Sequence, residues 1–282
     1  IDLKTIQFNE FKRSLDDFSW KQIEEDSGID QDTIEQLATL CAESNATIAC
    51  WAMGLTQHRN GVAVIQEVVN LLLMGGHIGR PGAGLCPVRG HSNVQGDRTV
   101  GIWEAPSESF IERLEKGLEF SVPRQHGYDV VHSIHAMENN EVDVFISMGG
   151  NFLSATPDTK RTAAALQKVG LTVQISTKLN RSHLITGETA LILPVLGRTE
   201  IDHQVSGPQF VTVENSMGVV HRSSGSMKPV SPTLISEPSL IAQLGMRLCP
   251  KILNWKELGD DYDSIRDLMS NSLNGFEDYN QR

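Results

Sequence analysis

Arginine, histidine and amide side chains alternate with glycine between Gly75 and Gly96, in the run GGHIGRPGAGLCPVRGHSNVQG. Glycine lets a backbone approach a ligand closely, because positive φ costs it nothing and no Cβ intrudes. His77, Arg80, Arg89, His91, Asn93 and Gln95 stand between those glycines, and most are long donors. A guanidinium is a rigid fork of N–H groups that grips a carboxylate or similar oxyanion at two points. A histidine takes up or releases a proton near neutral pH. Together with backbone N–H groups, such side chains suit a large, anionic, heteroatom-rich ligand. Composition alone leaves a second reading equally open: a long turn whose few polar groups satisfy one another.

A second glycine pair, Met148-Gly149-Gly150-Asn151, joins an apolar run to a helix-like segment. Glycines there can cradle a phosphate or nucleotide at the helix start. A tight strand-to-helix turn accounts for the same letters. Ser176 and Thr177 end the next apolar run, where hydroxyls either meet a ligand or cap a helix. Met53 and Gln57 follow an earlier run, and a methionine there is ordinarily core. His183 and His203 have no metal-ligand spacing with each other or with a cysteine.

The elements that must position these residues read as alternating helices and strands. Asp30 or Asp32 can cap a helix whose Ile34, Leu37, Ala38 and Cys41 share one face. The run 47–53 reads as a buried strand, 54–60 as a turn, and Val62, Ile65, Val69, Leu72 and Leu73 as a helix stopped by Gly75-Gly76. Further on, Val130 to Met137 reads as a helix and 142–148 as a second buried strand. Next comes a helix capped by Thr156 with Pro157 in its first turn. Strands over 171–175 and 190–193 follow, with a short helix over 182–186 between them. Strand–helix–strand–helix–strand predicts a parallel sheet with right-handed crossovers, and ligands of such sheets sit at the carboxyl ends of the strands. The division expected is a partial α/β lobe over 1–96, a connector over 97–127, a dinucleotide-binding-like lobe over 128–255 and a polar segment over 256–282.

The letters go further than the composition. Pro87-Val88-Arg89-Gly90-His91-Ser92-Asn93-Val94-Gln95-Gly96 closely resembles the PVRGxxNVQG loop of molybdopterin oxidoreductases of the dimethyl-sulfoxide-reductase superfamily, and of its formate-dehydrogenase-like branch in particular. Trp51-Ala52-Met53-Gly54-Leu55-Thr56-Gln57 resembles that family's WxMGxxQ segment at the expected distance upstream. The resemblance implies two three-layer α/β/α lobes with mainly parallel sheets, of the formate dehydrogenase/dimethyl sulfoxide reductase central-domain type. It implies a molybdenum bis(molybdopterin guanine dinucleotide) cofactor. Met53, Gly54, Gln57, Gly90, Asn93 and Gln95 would then line the pterin, and Gly150, Asn151, Ser176 and Thr177 the guanosine. Arg89 would stand beside the metal and orient a small oxyanionic substrate such as formate. His91 departs from the glutamine usual in formate dehydrogenases and could equally act as acid or base or be a hydrogen-bonded pocket residue. Met217 replaces the glutamate expected in the family's NxEG loop.

Family members are longer, with an N-terminal region that carries the metal ligand and, in some, an iron–sulfur cluster. This chain therefore reads as a central fragment, inactive alone, with no metal ligand of its own and an electron-transfer partner implied for the parent. A stand-alone guanine-nucleotide-binding module without redox activity is the alternative. The net charge of −11 and the absence of any basic run exclude a nucleic-acid partner. The longest apolar stretch, 62–74, is too short and too polar for membrane insertion. The four cysteines form no CxxC pair, and the lack of a visible signal peptide favours the cytoplasm.

Overall fold

Side-chain caps set most of the helix starts in this computed structural model, which describes residues 6–88, 90–215 and 217–282. The chain divides into two units, residues 1–91 and 92–282.

The first unit opens with α1 (Phe8–Ser14) and α2 (Trp20–Ser27), the latter capped by Ser19 and closed by a left-handed Gly28. Asp30 caps α3 (Gln31–Glu43), accepting from the Thr33 N–H at 2.7 Å. That bond holds the Asp30 carboxyl below its usual range. Then follow β1 (Ile48–Trp51), the single turn α4 (Met53–Thr56), α5 (Gly61–Met74) and β2 (Gly84–Pro87). β1 and β2 run parallel, Ile48 opposite Gly84 and Trp51 opposite Pro87. The buried strand expected over 47–53 is shorter, and its Ile48 and Cys50 are exposed. Alternation of this kind marks a sheet with one covered face. Gly75 answers a packing demand: a Cβ there would collide with the buried His77 ring.

The second unit begins with α6 (Val94–Thr99), α7 (Glu108–Leu118) and α8 (Val130–Glu138). Its sheet is built from β3 (Val144–Met148), α9 (Phe152–Ala155), α10 (Thr159–Leu166), β4 (Leu171–Ser176) and β5 (Thr189–Pro194). The strands lie in the order β3-β4-β5, all parallel, as the alternation of elements predicts. Helices cover both faces. Ile134, Met137, Leu153, Ala165, Leu166 and Val169 form one core, against which Phe145 packs. Val173, Ile175 and Val195 form another, with Leu240 on it. The chain is therefore an α/β protein with parallel sheets packed against helices.

Two details correct the sequence reading. The strand expected over 142–148 is not buried throughout: Val144, Ile146 and Met148 are exposed, because they share the face of β3 opposite the one that packs Phe145 onto the core. Thr156 does not cap the next helix. Asp158 does, accepting from the Arg161 N–H at 3.0 Å, so Pro157 precedes the cap. Thr156 turns inward instead, with its hydroxyl 2.7 Å from that of Thr162.

The antiparallel pairs β6 (His203–Gln204) with β7 (Gly207–Pro208) and β8 (Val211–Glu214) with β9 (Val220–Ser223) precede α11 (Glu237–Leu248), α12 (Trp255–Asp260) and α13 (Tyr262–Ser272). The polar segment 256–282 is thus largely helical, and α13 packs on α7. Buried Tyr262 donates to Asp202 Oδ2 at 2.6 Å and meets the Ser236 hydroxyl at 2.6 Å. Burial, reinforced by that carboxylate, pushes the Tyr262 phenol above its usual range. The Arg266 guanidinium stacks 3.7 Å from the Phe210 ring centroid and donates to the Phe210 carbonyl. No helix among the described residues is long and apolar enough to cross a membrane.

Candidate cofactor-binding site

Parallel pairing of β1 and β2 puts both carboxyl ends at one edge of the first unit, where α/β sheets bind ligands. Two motifs start there. After β1 the chain turns at once into Met53, Gly54, Leu55 and Thr56, with Gln57 closing the turn onto the Met53 carbonyl. After β2, the Val88 N–H donates to the Trp51 carbonyl at 2.7 Å and extends the pairing by one residue. A Cβ on Gly90 would lie 3.8 Å from Met53 Sδ, so the two motifs meet. Met53 is 47% exposed, which removes the core-packing reading of this methionine. Gln57 and His91 are also exposed. Arg89 lies outside the described residues.

The second unit holds the other glycine pair at the end of β3. Gly149 and Gly150 have φ of 67° and 69°, a left-handed conformation that side chains rarely adopt. A Cβ on either would meet nothing within 4 Å, so their backbone faces open space. Asn151 follows, and its Oδ1 accepts from the Ser182 hydroxyl at 2.8 Å. The same hydroxyl accepts from the Leu153 N–H at 3.1 Å, while Asn180 Nδ2 donates to the Gly150 carbonyl at 2.8 Å. The Ser176 hydroxyl donates to the Lys178 carbonyl at 2.7 Å, so it shapes the turn after β4 rather than capping a helix. Thr177 is exposed beside it.

Sequence reasoning missed the turn that holds this loop. Residues Arg181–Leu184 form a 3₁₀ turn, not the helix expected over 182–186. Asn180 caps it, and His183 Nδ1 accepts from the Asn180 N–H at 3.0 Å. The spacing of Asn180 and His183 is that of a capping box, with histidine in the place of the usual glutamate. That spacing was the available signal. His183 Nε2 is buried and has no partner among the described residues. Ser182→Ala strands the Leu153 N–H and frees the Asn151 amide, at a cost of about 1–3 kcal/mol. A thermal melt reads the loss directly; an unchanged melting temperature would show that the hydroxyl does not hold the loop.

The rest of the PVRGHSNVQG run belongs to the second unit and is tied into its framework. Asn93 Oδ1 accepts from the Glu214 N–H at 2.9 Å, and the Thr99 hydroxyl donates to Glu214 Oε2 at 2.8 Å. Arg198 Nη1 donates to the Ser92 hydroxyl at 2.6 Å. Gln95 is half-buried. The loop after β8 is an Asn215-centred turn, its Oδ1 accepting from the Met217 and Val219 N–H groups. Among the described residues no three His, Cys, Asp or Glu side chains come together as a metal-holding group.

A family model described as molybdopterin oxidoreductase matches residues 12–185, more than half the chain and every loop above except that after β8. The chain belongs to the molybdopterin oxidoreductase family. An uncharacterized oxidoreductase of Mycobacterium tuberculosis is 48% identical over all of this chain and 36% of its own length. Protein YdeP of Escherichia coli is 46% identical over all of this chain and 37% of its own. A putative formate dehydrogenase of Staphylococcus aureus is 31% identical over 50% of this chain and 15% of its own. The chain thus spans little more than a third of the length of the two curated relatives that it matches throughout.

Proposed function

We propose that this chain is the central cofactor-binding portion of a molybdopterin guanine dinucleotide-dependent oxidoreductase of the formate-dehydrogenase-like kind. The observation that carries this reading is the Asn151 amide, fixed by Ser182 beyond two left-handed glycines at a strand end. The residues present fit the cofactor. Gly149 and Gly150 leave room for close approach, and the buried, unsatisfied His183 Nε2 lies on the turn that braces them.

Gly150, Asn151, Ser176 and Thr177 would hold the guanosine end. With its Oδ1 taken by Ser182, Asn151 presents its NH₂ as a donor to an acceptor on the nucleotide. Met53, Gly54, Gln57 and Gly90 would hold pterin, with Asn93 and Gln95 keeping the second loop in shape beside it. When bound, the cofactor supplies two-electron redox chemistry with transfer of a proton or an oxo group. Arg89 would grip an oxyanionic substrate at two points, and His91 would accept or release the proton. The formate-dehydrogenase name of the Staphylococcus aureus relative favours a small carboxylate. Histidine in place of glutamine at position 91 would tune which one, and an electron-transfer partner would complete turnover.

The full-length protein, made in a host that builds the cofactor, is expected to purify with molybdenum or tungsten and to release guanosine monophosphate on acid treatment. Metal analysis finding neither metal in such a preparation overturns the reading.

A further inference from the structure

Two of the cysteines face each other across β1 and β2. The parallel register sets Cys50 opposite Cys86. Such partners project from the same face of a sheet, and neighbouring strands lie about 4.7–4.9 Å apart. A disulfide requires Cα atoms roughly 4.4–6.8 Å apart, and the spacing of paired strands falls within that range. Both residues are exposed, whereas Cys41 and Cys249 are half-buried and lie on other elements. The hydrogen bond with the Cys86 thiol, more than burial, pushes the Cys50 thiol above its usual range. That shift favours the thiol form of Cys50 beside Cys86.

We propose that Cys50 and Cys86 are a redox-active dithiol that closes to a disulfide with hydrogen peroxide and reopens with a dithiol reductant. The thiolate of Cys86 attacks one peroxide oxygen; the O–O bond breaks, and Cys86 becomes a sulfenic acid as hydroxide leaves. The Cys50 sulfur then attacks the Cys86 sulfur, the S–O bond breaks, and the departing oxygen leaves as water with the Cys50 proton. In total the two thiols give up two electrons and two protons, and one peroxide becomes two waters. Trp51 and Pro87 directly follow the two cysteines and end the two strands. The bridge would therefore staple together the strand ends from which Met53 and Gly90 are carried.

The test treats the full-length holoprotein with hydrogen peroxide, alkylates the remaining thiols and maps the peptides without reduction. Expected is the loss of both free thiols, a Cys50–Cys86 linked peptide as the main product, and its disappearance after dithiothreitol. In Cys50→Ser the link is lost and dimedone traps a sulfenic acid on Cys86. In Cys86→Ser the link is lost and Cys50 gives no dimedone adduct at the same dose. The proposal is overturned if Cys50 and Cys86 both stay alkylatable at a dose that oxidises Cys41 or Cys249. Separate sulfinic acids on the two residues with no link overturn it equally.

Discussion

Arg89→Lys is expected to lower kcat/KM of the full-length enzyme for formate or a related small oxyanion by about 10²- to 10³-fold, while metal and guanine nucleotide contents stay at the wild-type level. Lysine keeps the charge but replaces a planar two-point fork with a single ammonium. Losing one preorganised donor to the reacting group costs about 2.7–4 kcal/mol of transition-state stabilisation. The cofactor should be retained because the flanks of Arg89 are fixed independently of its side chain. Val88 bonds the Trp51 carbonyl, and Gly90 lies beside Met53. An unchanged kcat/KM, or activity lost in proportion to metal, would move Arg89 from chemistry to structure. Oxidation of formate with an artificial electron acceptor, alongside metal analysis, separates these outcomes.

The largest stability effect is expected at Leu166. Its side chain is fully buried, 0% exposed, in the core that also holds Met137, Val169 and Leu153. Leu166→Ala removes three carbons and leaves a cavity that close-packed neighbours fill only in part, which costs about 2–5 kcal/mol. Leu153 sits two residues beyond Asn151, so the loss should reach the loop proposed to hold the nucleotide. The variant is expected to melt well below wild type by thermal denaturation and to purify with less guanine nucleotide. Leu166→Met, which nearly preserves volume, should cost under about 1.5 kcal/mol. Equal effects from the two variants would show that packing at this position is not what supports the loop.

Much of the second unit was legible because its signals are local. Apolar runs at 142–148, 171–175 and 190–193 separated by helix-like segments are enough to specify three parallel strands. The start of α3 was legible to within two residues, Asp30 and Asp32 both being candidates, and Asp30 caps it. Where two competent caps stand close together, as Thr156 and Asp158 do, the letters cannot choose between them. The inward hydrogen bond of Thr156 to Thr162 decides it, and that bond exists only once α10 has formed. The exposure of β3 is confined to one face, which composition does not encode. The candidate site was legible as motifs and much less so as a bonded assembly. Asn151 and Ser182 are held together by the crossover between β3 and β4, and Asn93 meets Glu214 through the course of half the chain. No window along the sequence contains both members of either pair.

Position 96 carries a consequence for how this loop can vary. A side chain there would collide with the Asn93 amide, the same amide whose oxygen holds the Glu214 N–H of β8. Gly96 is thus the vacancy into which Asn93 folds, and the two residues form one heritable unit. Substitution at either is felt at the backbone of a strand more than a hundred residues downstream, so the effects of changes at 93 and 96 will not add. A library that randomises it one residue at a time would score Asn93 and Gly96 as indispensable, whatever either contributes to cofactor or substrate.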